Sequence, residues 1–282
     1  MSWITQIRIL LGGYLQAFFL YFVDGGGWFC DRLSDGLRGI IDCFLAALQW
    51  ASPSMSIMVI SIIAFALRRS IAVAIFTAIG LALIVNQGYW QGTTETLALV
   101  IVSTCISMMI GVPIGVFSAR HQRFYAVIRL LLDLMQTIPT FIYLIPAMIL
   151  FGLGMVPGLI ATIVFVVPTS VRLTQIGIRS TPPILTEAAR AFGATSFQVF
   201  YKVELPFAIP QIMVGLTQTI MLSLSMVVIA ALVGAEGLGT PVLRALNNLD
   251  IGKGFESGFC IVILAIILDR MFSISVEPRD MT

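Results

Sequence analysis

Seven uninterrupted apolar segments dominate the chain, at roughly 53–67, 70–86, 95–119, 130–152, 156–178, 207–233 and 255–272. A hydrocarbon core about 30 Å thick needs about 20 apolar residues per helical span. Within lipid each backbone must satisfy its own polar groups, which leaves helices and closed barrels. These runs are continuous rather than alternating, so they are not barrel strands. The expectation is an all-α, polytopic transmembrane helical bundle of about seven spans. Charge agrees: 11% of the residues are charged, against about 25% in a soluble domain, and the mean hydropathy is +1.01.

The same composition excludes other classes. A net charge of +2 is too small to imply nucleic acid. Cys30, Cys43, Cys105 and Cys260 are scattered, with no CxxC pair, and read as small buried residues rather than disulfides or metal ligands. The single histidine, His121, lies beside Arg120 and Arg123, which disfavours a cation; no metal site is expected. No short apolar stretch leads to an A-x-A-type cleavage site, so no removable signal peptide is read.

Ahead of the apolar segments, residues 28–50 place Phe29, Leu33, Leu37, Ile40, Ile41, Phe44 and Leu48 at helical spacing. Asp31, Arg32, Asp35, Arg38 and Asp42 fall largely between them. This predicts an amphipathic helix, lying on the membrane surface or bracing the bundle. Residues 9–23 are apolar but short and glycine-interrupted; spanning and interfacial placements are both open. The chain thus divides into an N-terminal amphipathic or interfacial region (1–52), two short accessory spans (53–90), a core transmembrane domain (91–275) and a tail (276–282).

Basic residues near span ends set the orientation. Arg68 and Arg69; Arg120, Arg123 and Arg129; Arg179, Arg190 and Lys202; and Arg270 and Arg279 mark alternate joins. Of the opposite joins, 87–94, 152–157 and 234–254, only the last holds basic residues, Arg244 and Lys253, and Glu236 and Asp250 accompany them. This puts 179–206 and the C-terminus in the cytoplasm and 28–50 outside. Pro113, Pro139, Pro146, Pro157 and Pro168 fall in or beside apolar runs. Proline removes a backbone donor and kinks a helix, so their clustering points to a bundle with an internal path. Gly111-x-x-x-Gly115, Gly154-x-x-x-Gly158 and Gly254-x-x-x-Gly258 are candidate close helix contacts.

One long polar stretch, 179–206, interrupts the apolar chain. Thr181 reads as an N-cap with Pro182 at the first helical position. Gly193 ends the short helix that follows, because glycine accepts the left-handed C-cap conformation. Thr195 with Gln198 forms a capping box for a second short helix, which Pro206 stops as the next span begins. Ala188, Ala189 and Ala191 give a smooth face, Leu185 and Phe192 add apolar bulk, and Glu187 and Arg190 edge it with charge. Such a surface suits insertion into a groove on another protein.

Glu187-Ala188-Ala189, then Gly193, then Val203-x-Leu205-Pro206 resembles the EAA loop of ABC importer permeases, with Val203 in place of the usual isoleucine. The run 135–146 (Met-Gln-Thr-Ile-Pro-Thr-Phe-Ile-Tyr-Leu-Ile-Pro), Phe151-Gly-Leu-Gly154, Gly234-Ala-Glu-Gly-Leu-Gly239 and Leu249-Asp-Ile-Gly-x-Gly-Phe-Glu256 look like the core of the glycine betaine/proline betaine/choline permeases. The resemblance covers about 90–282 and implies a type I ABC importer permease fold in a bacterial inner membrane. It implies that Glu187, Ala188, Ala189, Arg190, Phe192, Gly193, Leu205 and Pro206 couple the chain to a separate ATPase subunit, which binds the ATP and Mg. It implies an extra-cytoplasmic binding protein that delivers solute, a second copy of the chain, a lipid environment, and a quaternary-ammonium osmolyte as cargo. Gln136, Pro139, Phe141, Tyr143 and Pro146 are the candidate path residues.

The chain carries no G-x-x-x-x-G-K-[ST], and Gly234-x-x-Gly237-x-Gly239 lacks the strand–turn–helix setting of a dinucleotide site. No catalytic constellation is read, so an enzyme of its own is not expected and energy must come from the partner. Glu95, Asp133 and Asp269 sit near span ends, where solvation is cheap, which argues against an ion-driven carrier. A permease for an amino acid, methionine or a sulfonate remains the alternative within the superfamily.

Overall fold

The structure, a computed structural model, describes residues 11–273, with side chains from residue 27 onward; the tail 276–282 and Arg279 lie outside the described residues. The helices are α1 (Leu11–Gln49), α2 (Pro53–Arg68), α3 (Ile71–Asn86), α4 (Trp90–Arg120), α5 (Gln122–Thr137), α6 (Leu144–Phe151), α7 (Met155–Arg179), α8 (Pro183–Ala191), α9 (Ser196–Val199), α10 (Leu205–Ala230), α11 (Gly239–Asn248) and α12 (Ile251–Phe272). The all-α bundle stands. Among the described residues, four helices are long and apolar enough to cross a membrane singly: α4, α7, the run Ser196–Val233 and α12. Two bent pairs bring the number to six, and α3 is a shorter apolar helix.

Two expectations need correction. The segments 9–23 and 28–50 are not separate: from Leu11 a single 39-residue helix carries both. A glycine costs a helix only about 1 kcal/mol, and the run Gly25–Gly27 does not interrupt it. The segment 130–152 is not one span but a helix pair bent by 104° at Pro139, where Ile138 and Pro139 turn extended. Proline disfavours the helical region for the residue before it, while hydropathy is blind to backbone angle. By contrast, Pro113, Pro168 and Pro210 sit within α4, α7 and α10 without ending them.

The centre of the bundle is α4 packed on α7, with α10 against both. Small residues make this possible. A Cβ on Gly111 would lie 1.8 Å from Ser170 Oγ, and one on Gly115 would lie 2.6 Å from Thr174 Cβ. Ser170 Oγ donates to the Ser107 carbonyl across the same seam at 3.1 Å. The other two glycine motifs fare differently. Gly158 packs on Ala230 and Ala235, but Gly154 is an N-cap in a positive-φ conformation. Gly254 touches Ala245 on neighbouring α11, and Gly258 faces open space.

Around this centre, Leu81 and Ile84 of α3, Leu97 and Val100 of α4, Leu224 of α10 and Leu264 and Ile267 of α12 form one buried cluster. Of the amphipathic stripe on α1, Leu37 and Ile41 are buried against Val102, Val156 and Leu159. Phe29, Leu33 and Ile40 stay exposed. The helix therefore braces the bundle along a narrower face than its sequence periodicity suggests.

Candidate functional site

The polar stretch folds into an elbow whose first half is nearly as read, one residue displaced. Pro182, not Thr181, is the N-cap of α8, and Pro183 takes the first turn. Thr181 is buried instead, and its hydroxyl has no partner among the described residues. At the other end Gly193 adopts φ +81°. Its N–H donates to the Arg190 carbonyl at 2.9 Å, and the Ala194 N–H to the Ala189 carbonyl at 3.1 Å. This is the two-bond Schellman closure that a left-handed glycine permits. The capping box follows: Gln198 N–H donates to Thr195 Oγ1, and Thr195 N–H to Gln198 Oε1 at 2.8 Å.

The second half differs from expectation. Pro206 does not stop a helix. After α9, residues Phe200–Glu204 form a π-turn, with the Leu205 N–H bonded to the Phe200 carbonyl, and α10 continues directly. The wider turn accommodates a proline that could not complete an α-helical ladder. Ser196–Val233 is one 38-residue helix, so the elbow's second arm and the following span are a single body.

The elbow presents apolar side chains to solvent. Phe192 is 93% exposed, Phe197 73% and Ile184 71%. Phe197 and Tyr201 stack on each other with centroids 6.4 Å apart. Glu187, Ala188, Arg190 and Gly193 are exposed, Ala189 and Leu205 are half-buried, and Pro206 is exposed at the root of α10. A loop packed on its own bundle would hide these rings. Sequence reasoning named Leu185 and Phe192 and missed Ile184, Phe197 and Tyr201. The capping box at Thr195 could have extended the face, since it fixes which residues share the second arm.

Two contacts fasten the elbow to α4. Arg120 Nη2 donates to Glu204 Oε2 at 2.9 Å, and the Arg120 guanidinium sits 4.5 Å over the Phe200 ring. Beside them a cavity of about 460 Å³ is lined by Arg120, His121, Arg179, Arg190 and Glu204. Arg120→Ala removes both contacts, each worth about 1 kcal/mol or less at a partly exposed site. The elbow then becomes more sensitive to limited proteolysis at residues 193–195, with little change in melting temperature; equal cleavage rates would refute this.

The candidate path residues cluster around the break at Pro139. Tyr143 turns inward and its hydroxyl donates to the Met135 carbonyl, clasping the two arms. Phe141 projects outward, 58% exposed, and Pro146 is half-buried in the first turn of α6. Gln136 Nε2 reaches Thr169 Oγ1 on α7 at 3.4 Å. Next to it is a pair that sequence reasoning missed: Arg172 of α7 bonded to Asp133 of α5. Asp133 lies on α5 just ahead of the bend at Pro139, with its side chain 46% exposed.

The described chain is thus a bundle of apolar helices with one separately capped elbow that is apolar at its outer surface. The chain belongs to the family described as binding-protein-dependent transport system inner membrane component, whose model matches residues 111–277. It is accordingly the permease component of an ABC transporter, a family that implies ATPase and solute-binding partners.

Particular relatives are near. The chain is 40% identical over 264 residues to the glycine betaine transport system permease protein OpuAB of Bacillus subtilis, covering 94% of this chain and 93% of that one. It is 43% identical over 246 residues to the glycine betaine/carnitine transport permease protein GbuB of Listeria monocytogenes, covering 86% and 87%. Among solved structures, a chain of the inward-facing MetNI methionine ABC transporter superposes with a TM-score of 0.58 at 26% identity, covering 64% of this chain and 91% of that one.

Proposed function

We propose that the chain is the membrane-spanning subunit of an ATP-driven importer for quaternary-ammonium osmolytes: glycine betaine, proline betaine or choline. The observation that carries the substrate class is the near full-length similarity to glycine betaine permeases. The observation that supports the coupling role is the exposed apolar elbow around Glu187 and Phe192. In this reading the elbow and the C-terminus face the cytoplasm. Two copies form the path between them, and two ATPase subunits, which bind ATP and Mg, receive the elbows. A binding protein delivers solute at the opposite face. Arg120 meeting Glu204 supports one side for the 120–122 join and the elbow, and the bond from Arg68 to the Ser273 carbonyl supports one side for the ends of α2 and α12. The chain hydrolyses no ATP itself.

The test is reconstitution with an ATPase subunit and a binding protein. ATP-dependent uptake of labelled glycine betaine is expected, and Glu187→Arg, by placing a cation on the docking face, abolishes solute-stimulated hydrolysis without removing the chain from the membrane. Undiminished stimulation in that variant would refute the docking role. Uptake by the chain alone on an ion gradient would refute the importer.

A further inference from the structure

An arginine and an aspartate paired between two helices of an apolar bundle need an explanation. Arg172 lies seven residues from the end of α7 at Arg179, about 10 Å in at ~1.5 Å per residue. Its guanidinium bonds to Asp133, which Arg129 also approaches at 3.8 Å. Asp133 and Arg172 are only partly exposed, 46% and 31%. One turn on, Gln136 and Thr169 make a second polar rung between the same helices. Arg129, Asp133 and Gln136 fall at i, i+4 and i+7, a polar stripe along α5. Arg172 lies within α7, a helix long and apolar enough to cross a membrane, and an ionisable residue within such a span is by default a functional candidate rather than a packing group.

The helices they join are unequally held. α7 is buried along most of its length, whereas in α5 Leu132 alone among the described residues is buried. At one end α5 meets α4 through the single residue His121, and at the other it meets the 104° break at Pro139. Among the described residues, the side-chain hydrogen bonds tying α5 to α7 are those two rungs. Moreover, Arg172 Nε is buried and has no partner among the described residues, so the pair is incompletely satisfied. Both side chains keep partial access to solvent, so the pair is worth about 1 kcal/mol or less. Its separated and joined states are then close in free energy, which suits a contact that must open and reclose.

We propose that Asp133 and Arg172 are the latch of the translocation gate: their pair holds α5 against α7 and parts when α5 swings aside to open the path. The proposal rests on the importer reading above and adds positioning residues to it. In the reconstituted complex, D133N keeps shape and removes the charge. It raises ATP hydrolysis without solute-loaded binding protein by about fivefold, the lower range of site-to-site coupling, while solute moved per ATP falls. The charge swap D133R/R172D restores wild-type stimulation, which a packing role would not predict. Dependence on loaded binding protein that is unchanged in D133N, or a swap that recovers protein yield but not stimulation, would overturn the latch.

A measurement on the purified chain separates this from failure of the importer reading. Spin labels placed by L130C and I176C, in a background with the native cysteines replaced, report the α5–α7 distance at two exposed positions. D133N adds a longer-distance population there; an unchanged distribution overturns the latch whether or not the complex transports.

Discussion

Gly193→Pro abolishes solute-stimulated ATP hydrolysis while leaving the chain inserted and folded. Gly193 holds φ +81°, and proline fixes φ near −65°. Proline also lacks the N–H that Gly193 donates to the Arg190 carbonyl. Both bonds of the helix closure therefore fail, and the face carrying Glu187, Ala188 and Phe192 is re-aimed relative to Phe197 and Tyr201. Among the described residues nothing lies within 4 Å of where a Cβ on Gly193 would stand, so crowding is not the cause. Gly193→Ala pays only the left-handed penalty, about 1–2 kcal/mol, and is intermediate. Gly193→Asn, the next most favoured residue at this position, is near wild type. The measurement is hydrolysis by the complex with and without loaded binding protein, beside the melting temperature of the permease. Retained stimulation in Gly193→Pro would show that the angle of the elbow does not matter to docking.

Gly115→Leu has the opposite signature: it destroys the bundle rather than the coupling. A Cβ there would meet the Val171 carbonyl oxygen at 2.7 Å and Thr174 Cβ at 2.6 Å. The first is backbone of a buried helix and cannot step aside unless α4 and α7 separate. Without a hydrophobic driving force between helices in lipid, close backbone approach is a principal source of their association. Overpacking a tight site costs about 1–3 kcal/mol or more, against a total stability of about 5–15 kcal/mol. The expected result is loss of monodisperse protein in detergent, or a melting temperature lowered by several degrees. Met109→Leu, on an exposed face of the same helix, serves as the control. Equal melting of Gly115→Leu and wild type would mean that the α4–α7 seam is looser than its geometry.

What the sequence made legible was governed by local rules. Span positions follow from apolar length, and the elbow's caps follow from residue types three apart, which is why Thr195 with Gln198 and the turn at Gly193 read correctly. The start of α8 moved by one residue because two successive prolines each fit a first turn, and only the burial of Thr181 decides between them. The bend at Pro139 was hidden inside a continuous apolar run, and Pro206 was read as a stop because its π-turn has no compositional mark. Long-range pairs were out of reach altogether. Arg172 and Asp133 are 39 residues apart, and Arg120 and Glu204 are 84; no spacing rule connects them. Likewise the three glycine motifs look alike in sequence, and only the placement of a partner helix makes one of them a seam.

The continuous helix Ser196–Val233 bears on how force travels. At ~1.5 Å per residue its 38 residues measure roughly 57 Å. In the reading proposed above it acts as a lever that crosses α4 and α7, with one arm at the docking elbow and the other at the far end of the bundle. A stiff rod of that length converts a rotation of about 5° into an end-to-end displacement of about 5 Å. In that reading no break in the helix separates the part that is pushed from the part that moves.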